Sequence, residues 1–166
     1  MAQNAERELK TMIRKIISGG QTGVDQAALD VAIELGIPHG GWIPKGRLTE
    51  IGRLPDKYNL QEMPTDKYPP RTEKNVVDSD GTLIICHGPL TGGSKLTKNM
   101  ALKHDKPFLH VNLNNRDLFE VAQQIHNWIK KVEIKILNVA GSRASKDPKI
   151  YQDTVILLKE VFTLNR

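Results

Sequence analysis

Three segments of the chain carry residue types that could bind an anion. The first is Ser18-Gly19-Gly20-Gln21-Thr22-Gly23-Val24-Asp25, the second His87-Gly88-Pro89-Leu90-Thr91-Gly92-Gly93-Ser94-Lys95, and the third Ala140-Gly141-Ser142-Arg143-Ala144-Ser145-Lys146-Asp147. Glycines let a backbone approach a ligand closely, and the free N–H groups and dipole of a helix N-terminus favour negative charge. Hydroxyls of Thr22, Thr91, Ser94, Ser142 and Ser145 could add donors, and Lys95 and Arg143 positive charge. The first segment lacks the G-x-G-x-x-G spacing of dinucleotide sites, and no Gly-Lys-Ser/Thr follows it, so it is not a P-loop. Ligand-free turns, with Ser94 and Ser145 as helix caps, are the simpler alternative.

Each segment follows an apolar strand pattern and precedes a helix pattern. Strands are expected at Lys15 to Ile17, Gly40 to Ile43, Tyr58 to Met63, Thr82 to Cys86, Pro107 to Val111 and Ile134 to Val139. The helix after the first glycine segment carries Val24, Ala27, Ala28, Val31, Ala32 and Leu35 on one face and stops at Gly36-Ile37-Pro38. Further helices are expected at Arg71 to Asp78, Ser94 to His104, Arg116 to Lys131, and from Asp147 or Pro148 onward. The alternation indicates an α/β, Rossmann-like single domain of about six mostly parallel strands with helices on both faces. Parallel strands would open all three segments at one sheet edge, where ligands of such folds bind. Residues 1–14 read as a flexible or helical lead-in and 15–166 as the domain.

Other candidates surround this edge. Asp25 could hold a hydroxyl, a metal ion or a catalytic water, or simply favour the helix N-terminus. Lys45 and Arg47, in the irregular stretch from Pro44 to Lys57, could close over phosphates, with Glu50 as a base or as a partner of Arg47. Arg71 and Asn75 form an i, i+4 pair that could reach the ligand or bond to backbone. Of the histidines, His87 begins the second glycine segment and is the one to follow. No spacing of histidines and the lone Cys86 suits a metal site, and Cys86 reads as a buried structural thiol.

The net charge is +5 over 166 residues. The basic residues are scattered, so the excess suits attraction of an anionic small molecule better than nucleic-acid binding. No membrane span or signal peptide is read, and the cytoplasm is the expected compartment.

The first glycine segment, with Gly41-Trp42-Ile43-Pro44-Lys45-Gly46-Arg47, Arg71-Thr72-Glu73-Lys74-Asn75-Val76, Ser79-Asp80-Gly81-Thr82-Leu83, Leu90-Thr91-Gly92-Gly93-Ser94-Lys95-Leu96-Thr97 and Asn138-Val139-Ala140-Gly141-Ser142-Arg143, resembles the "putative molybdenum carrier" family from about Ile16 to Phe162. That family is itself similar to molybdenum cofactor carriers and to the wider Rossmann-like superfamily of the cytokinin-activating "lonely guy" proteins. The resemblance implies a Rossmann-like fold, a nucleotide or molybdenum cofactor held through phosphate, and a homo-oligomer. The phosphoribohydrolases of that superfamily carry Gly-Gly-x-Gly-Thr-x-x-Glu; here Lys95, Leu96 and Asn99 replace the glycine, threonine and glutamate. Asn99 cannot exchange a proton as a carboxyl does.

The function expected is a carrier or sensor of a phosphorylated small molecule. Its binding residues are Gly19, Gly20, Gln21, Thr22, Gly23, Lys45, Arg47, Thr91, Gly92, Gly93, Ser94, Lys95, Gly141, Ser142 and Arg143. The alternative is a nucleotide-processing hydrolase that uses Asp25 or Glu50.

Overall fold

The structure is a computed structural model that describes residues 12–164. Most of the lead-in expected at residues 1–14 therefore lies outside the described residues. Five strands form the central sheet: β1 (Lys15–Ile17), β2 (His39–Gly40), β7 (Gly81–Cys86), β8 (Phe108–Asn112) and β9 (Ile136–Gly141). All their pairings are parallel, in the order β2-β1-β9-β7-β8. The chain runs outward from β1 to β2, restarts at β7, runs outward to β8, and returns β9 between the two halves. The strands that precede the three glycine segments, β1, β9 and β7, are thus adjacent at the centre of the sheet.

Helices α1 (Val24–Leu35), α4 (Leu118–Val132) and α5 (Ile150–Phe162) pack together, and α2 (Tyr68–Val77) and α3 (Gly92–Lys103) form a second pair. The main core joins the first three to the sheet through residues such as Val24, Ala28, Leu83, Val139, Ile125, Leu158 and Phe162. The apolar periodicities of α1 and α4 account for this burial. Gly36 ends α1 with φ 70°, its N–H bonding to Ala32 and Ile33 carbonyls. Only a residue tolerant of positive φ closes a helix in this way.

The structure differs from expectation at several element boundaries. Gly41, with φ 124°, splits the expected second strand into β2 and β3 (Trp42–Ile43). Of the expected third strand only β6 (Gln61–Glu62) forms; it pairs with β3 outside the central sheet. The stretch after Pro44 contains the small hairpin of β4 (Leu48–Thr49) and β5 (Gly52–Arg53). The last helix begins at Ile150, because Asp147 instead accepts the N–H groups of Lys149 at 3.3 Å and Ile150 at 3.2 Å in a preceding turn. Conversely, α3 begins at Gly92, which puts Ser94 in its first turn instead of at the cap. Among the described residues no helix is long and apolar enough to cross a membrane.

Candidate functional site

Beyond the carboxyl ends of β1, β9 and β7 lies a cavity of about 270 Å³. Each of the three glycine segments contributes to its wall: Gly19, Gln21 and Asp25 from the first, Thr91, Gly93 and Ser94 from the second, Gly141, Ser142 and Arg143 from the third. The strand order explains the convergence, since the three central strands deliver their loops side by side.

Helix α2 supplies the fourth wall, and its role was only half legible in the sequence. Asn75 bonds to backbone: it accepts the Trp42 N–H at 2.8 Å and donates to the Trp42 carbonyl at 3.0 Å. Arg71, only 7% exposed, donates to the Gly19 carbonyl and also lines the cavity. A methyl group on Gly19 would collide with this guanidinium, so glycine there is the condition for Arg71 to enter. Tyr68 and Lys146 also line the cavity and were missed. The Tyr68 ring lies 5.2 Å from the guanidinium carbon of Arg71 and 5.9 Å from that of Arg143. Its aromatic face can thus support two cations at once. Lys146 belongs to a segment already singled out, and its charge was the available signal. No pattern in the sequence pointed to Tyr68.

The positive charge concentrates near the N-terminus of α3. A methyl group on Gly92 would come within 2.8 Å of Lys146 Nζ, which puts that ammonium beside the first turn of the helix. Neither Arg143 nor Lys146 is paired with a carboxylate among the described residues. Ser94 is buried, lines the cavity, and makes no side-chain hydrogen bond within the described residues. Two unpaired cations, a free hydroxyl and the dipole of a helix N-terminus can together hold an oxyanion, although the Ser94 and Lys95 N–H groups are taken by the Thr91 carbonyl at 3.1 Å and 3.4 Å.

The first glycine segment does not supply the expected cradle of free amides. Gly20 N–H bonds to Ser18 Oγ at 3.3 Å, Gln21 N–H to Asp25 Oδ2 at 3.1 Å, Thr22 N–H to Gln21 Oε1 at 3.1 Å, and Val24 N–H to the Ser142 carbonyl at 3.2 Å. Gly20 is packed beneath Ile43, Leu54 and Leu60 of the following loops, and Gly23 with φ 81° is packed against Ser142. These glycines serve close packing, and Gly20, Thr22 and Gly23 stay off the cavity wall.

Lys45 and Arg47 also lie off the wall. Lys45 is exposed. Arg47 donates to the carbonyls of Leu54 at 3.2 Å, Leu60 at 3.4 Å, Pro55 at 2.9 Å and Tyr58 at 2.7 Å. A long loop leaves carbonyls without ladder partners, and one planar five-donor group satisfies four of them. Lys95 is exposed and does not line the cavity, nor does Gly92.

Glu50 ties the long loop to two glycine segments. Its carboxylate accepts from Thr22 Oγ1, from Ser145 N at 3.1 Å and from Ser145 Oγ at 2.5 Å, while its own N–H donates to Gln21 Oε1 at 2.9 Å. Burial works to raise its pKa. The hydrogen bonds from Ser145 and Thr22, with the Arg143 charge, outweigh that and hold the carboxylate below its usual range. A carboxylate so occupied makes a clasp and a poor base. Glu50→Ala is expected to lower stability by about 1–2 kcal/mol, read as a fall of a few degrees in melting temperature. An unchanged melting temperature would deny the clasp its role.

Asp25 is different. It is 8% exposed and lines the cavity, and burial raises its pKa from 3.8 to about 6, with Arg71, the amides of Gln21 and Gly19, and Arg143 opposing the rise. His87 sits outside the cavity wall, its ring between Asp147 at 2.5 Å and Asp153 at 2.9 Å, where it joins the second and third segments to α5. Cys86 is buried against His110 at 3.2 Å, and burial, aided by the Asp147 charge, pushes its thiol up to about 11. That environment makes an inert thiol. Among the described residues no group of three or more His, Cys, Asp or Glu side chains could hold a metal ion.

The chain matches the circularly permutated YpsA SLOG family over residues 16–162. It is similar to the crystal structure of a "Putative molybdenum carrier protein" from Syntrophus aciditrophicus SB, with 59% identity and a TM-score of 0.89 over 91% of this chain and 95% of that one. None of the curated proteins matches it.

Proposed function

Since the chain belongs to the circularly permutated YpsA SLOG family, we propose that it is a binding protein for a phosphorylated or similar anionic small molecule, held in the cavity beyond β1, β9 and β7. The observation that carries this reading is the unpaired positive pole of the cavity, where Arg143 and Lys146 stand with Ser94 at the start of α3. Cations without carboxylate partners, Lys146 exposed and Arg143 half-buried, give the site a field that draws anions. The name of the similar crystal structure adds the molybdenum cofactor to the candidate cargoes, alongside nucleotides. The cofactor would enter as cargo, held through its phosphate. With this reading go a one-domain organisation over residues 15–166, a cytoplasmic location and a homo-oligomeric state.

The test is calorimetric titration with nucleotides, sugar phosphates, molybdate and molybdenum cofactor, on the native chain and on Arg143→Ala. At least one of these anions should bind and raise the melting temperature, and Arg143→Ala should weaken that binding about tenfold. Binding left intact in the variant would move the site elsewhere. No binding by any of them would defeat the reading.

One observation favours a second reading, a nucleotide-processing hydrolase. The Asp25 carboxyl lines the cavity with a pKa of about 6. A value near the working pH suits a general acid or base. Turnover of a nucleoside monophosphate that Asp25→Asn abolishes would establish it. Glu50, spent on Thr22 and Ser145, does not share that support.

A further inference from the structure

The cavity wall carries both cations and acceptors. Arg143, Lys146 and the first turn of α3 supply positive charge. The same wall presents acceptors. Asp25 is 8% exposed, with Oδ2 taking the Gln21 N–H at 3.1 Å. Asn138 is 2% exposed and lines the same cavity. Its Nδ2 donates to Thr82 Oγ1 at 3.1 Å, which leaves Oδ1 without a partner among the described residues. The cavity volume of about 270 Å³ is close to the lower end of small-molecule pockets. That leaves room for more than a bare oxyanion.

We propose that Asp25 is a specificity-determining residue that accepts a hydrogen bond from a hydroxyl of the ligand, so that the site takes phosphorylated polyols such as sugar phosphates in preference to anions with no hydroxyl. This rests on the reading of the cavity as a phosphate-type site. An anion beside Arg143 and Lys146 answers their charge. A hydroxyl adds a donor for the Asp25 carboxylate, whose Oδ2 already takes the Gln21 N–H, and for the Asn138 side-chain oxygen. A bare oxyanion leaves the Asn138 oxygen without a donor and Asp25 with its backbone amides alone, and buried acceptors short of donors are expensive. A site built to bond a hydroxyl rejects the analogue that lacks it for the same reason.

The preference follows the ionisation of Asp25. The charged groups that face it are Arg71 from α2 and Arg143 from the loop after β9, and Lys146 lines the same cavity. From α3, Lys95 stands outside the wall. Only the ionised carboxylate makes the strong, charge-assisted acceptor.

The experiment measures Kd by calorimetry for D-ribose 5-phosphate and for methyl phosphate, from about pH 5 to about pH 8, on the native chain and on Asp25→Asn. The phosphates of both probes ionise near pH 6, so that term cancels in the ratio of their Kd values. In the native chain the ratio of methyl phosphate to ribose 5-phosphate should rise about tenfold across this range. In Asp25→Asn it should be smaller and flat with pH. If both probes bind and the ratio is flat in the native chain, or equal in the two proteins, the role of Asp25 is overturned and the anion site stands. A ratio that falls with rising pH overturns it too, since a protonated Asp25 would then be donating to the sugar instead of accepting from it. If neither probe binds, the anion-site reading and this inference fail together.

Discussion

Arg71→Ala is expected to lower stability by about 3–5 kcal/mol, because it removes a large buried side chain and a charged donor and leaves a buried carbonyl unsatisfied. For a chain of this size that is a fall of roughly 6–20 °C in melting temperature. Three roles converge on this side chain. Its guanidinium donates to the Gly19 carbonyl, which the first glycine segment turns inward. It lies 5.2 Å from the Tyr68 ring centre. Its charge is the strongest of the forces that lower the pKa of buried Asp25. Truncation leaves a carbonyl without a donor and a carboxyl without its nearest cation, in a space that Gly19 keeps open for a guanidinium. Arg71→Lys should recover only part of the loss, because an ammonium lacks the planar guanidinium that donates to the Gly19 carbonyl and lies against the Tyr68 ring. A melting temperature for Arg71→Ala within two or three degrees of the native value would show that the guanidinium is a surface contact and not the post of the site.

Arg71 also shows where sequence reasoning stops. The strands, the two strong helical periodicities and the three glycine segments follow local rules, and parallel pairing then forces those segments to one edge. The i, i+4 spacing of Arg71 and Asn75 put both on one helix face but left two destinations open, and the structure uses both. Arg47 read as a phosphate ligand because basic residues in long loops often are, yet the same loop leaves carbonyls that need a donor. Glu50 meets Thr22 and Ser145 across separations of 28 and 95 residues, and nothing local announces such a meeting. The amides of the first glycine segment looked available because a sequence does not show which donors a fold will consume. Gly20 and Gly23 owe their identity to the chains packed on them. Composition and spacing suit that role as well as they suit a ligand.

The second large effect belongs to Asp25 and depends on pH. Burial raises its pKa from 3.8 to about 6 despite Arg71. A carboxyl whose folded value lies above its unfolded value binds its proton more tightly in the folded state. Its contribution therefore favours folding below pH 3.8, and folding is progressively penalised as pH rises toward about 6. The full penalty is about 3 kcal/mol. In Asp25→Asn it disappears, while every other titrating group is shared by the two proteins. The stability of the native chain minus that of Asp25→Asn should thus fall by about 2–3 kcal/mol between about pH 4 and about pH 7.5, measured by denaturant unfolding at each pH. A difference that stays constant, or rises with pH, would mean that Arg71 and the amides fully compensate the buried charge. The penalty has a functional reading: a residue kept only for the fold would be better as the amide. A carboxylate held at a cost on a cavity wall gains most when a ligand donor reaches it, so that cost reappears as selectivity for a ligand that brings one.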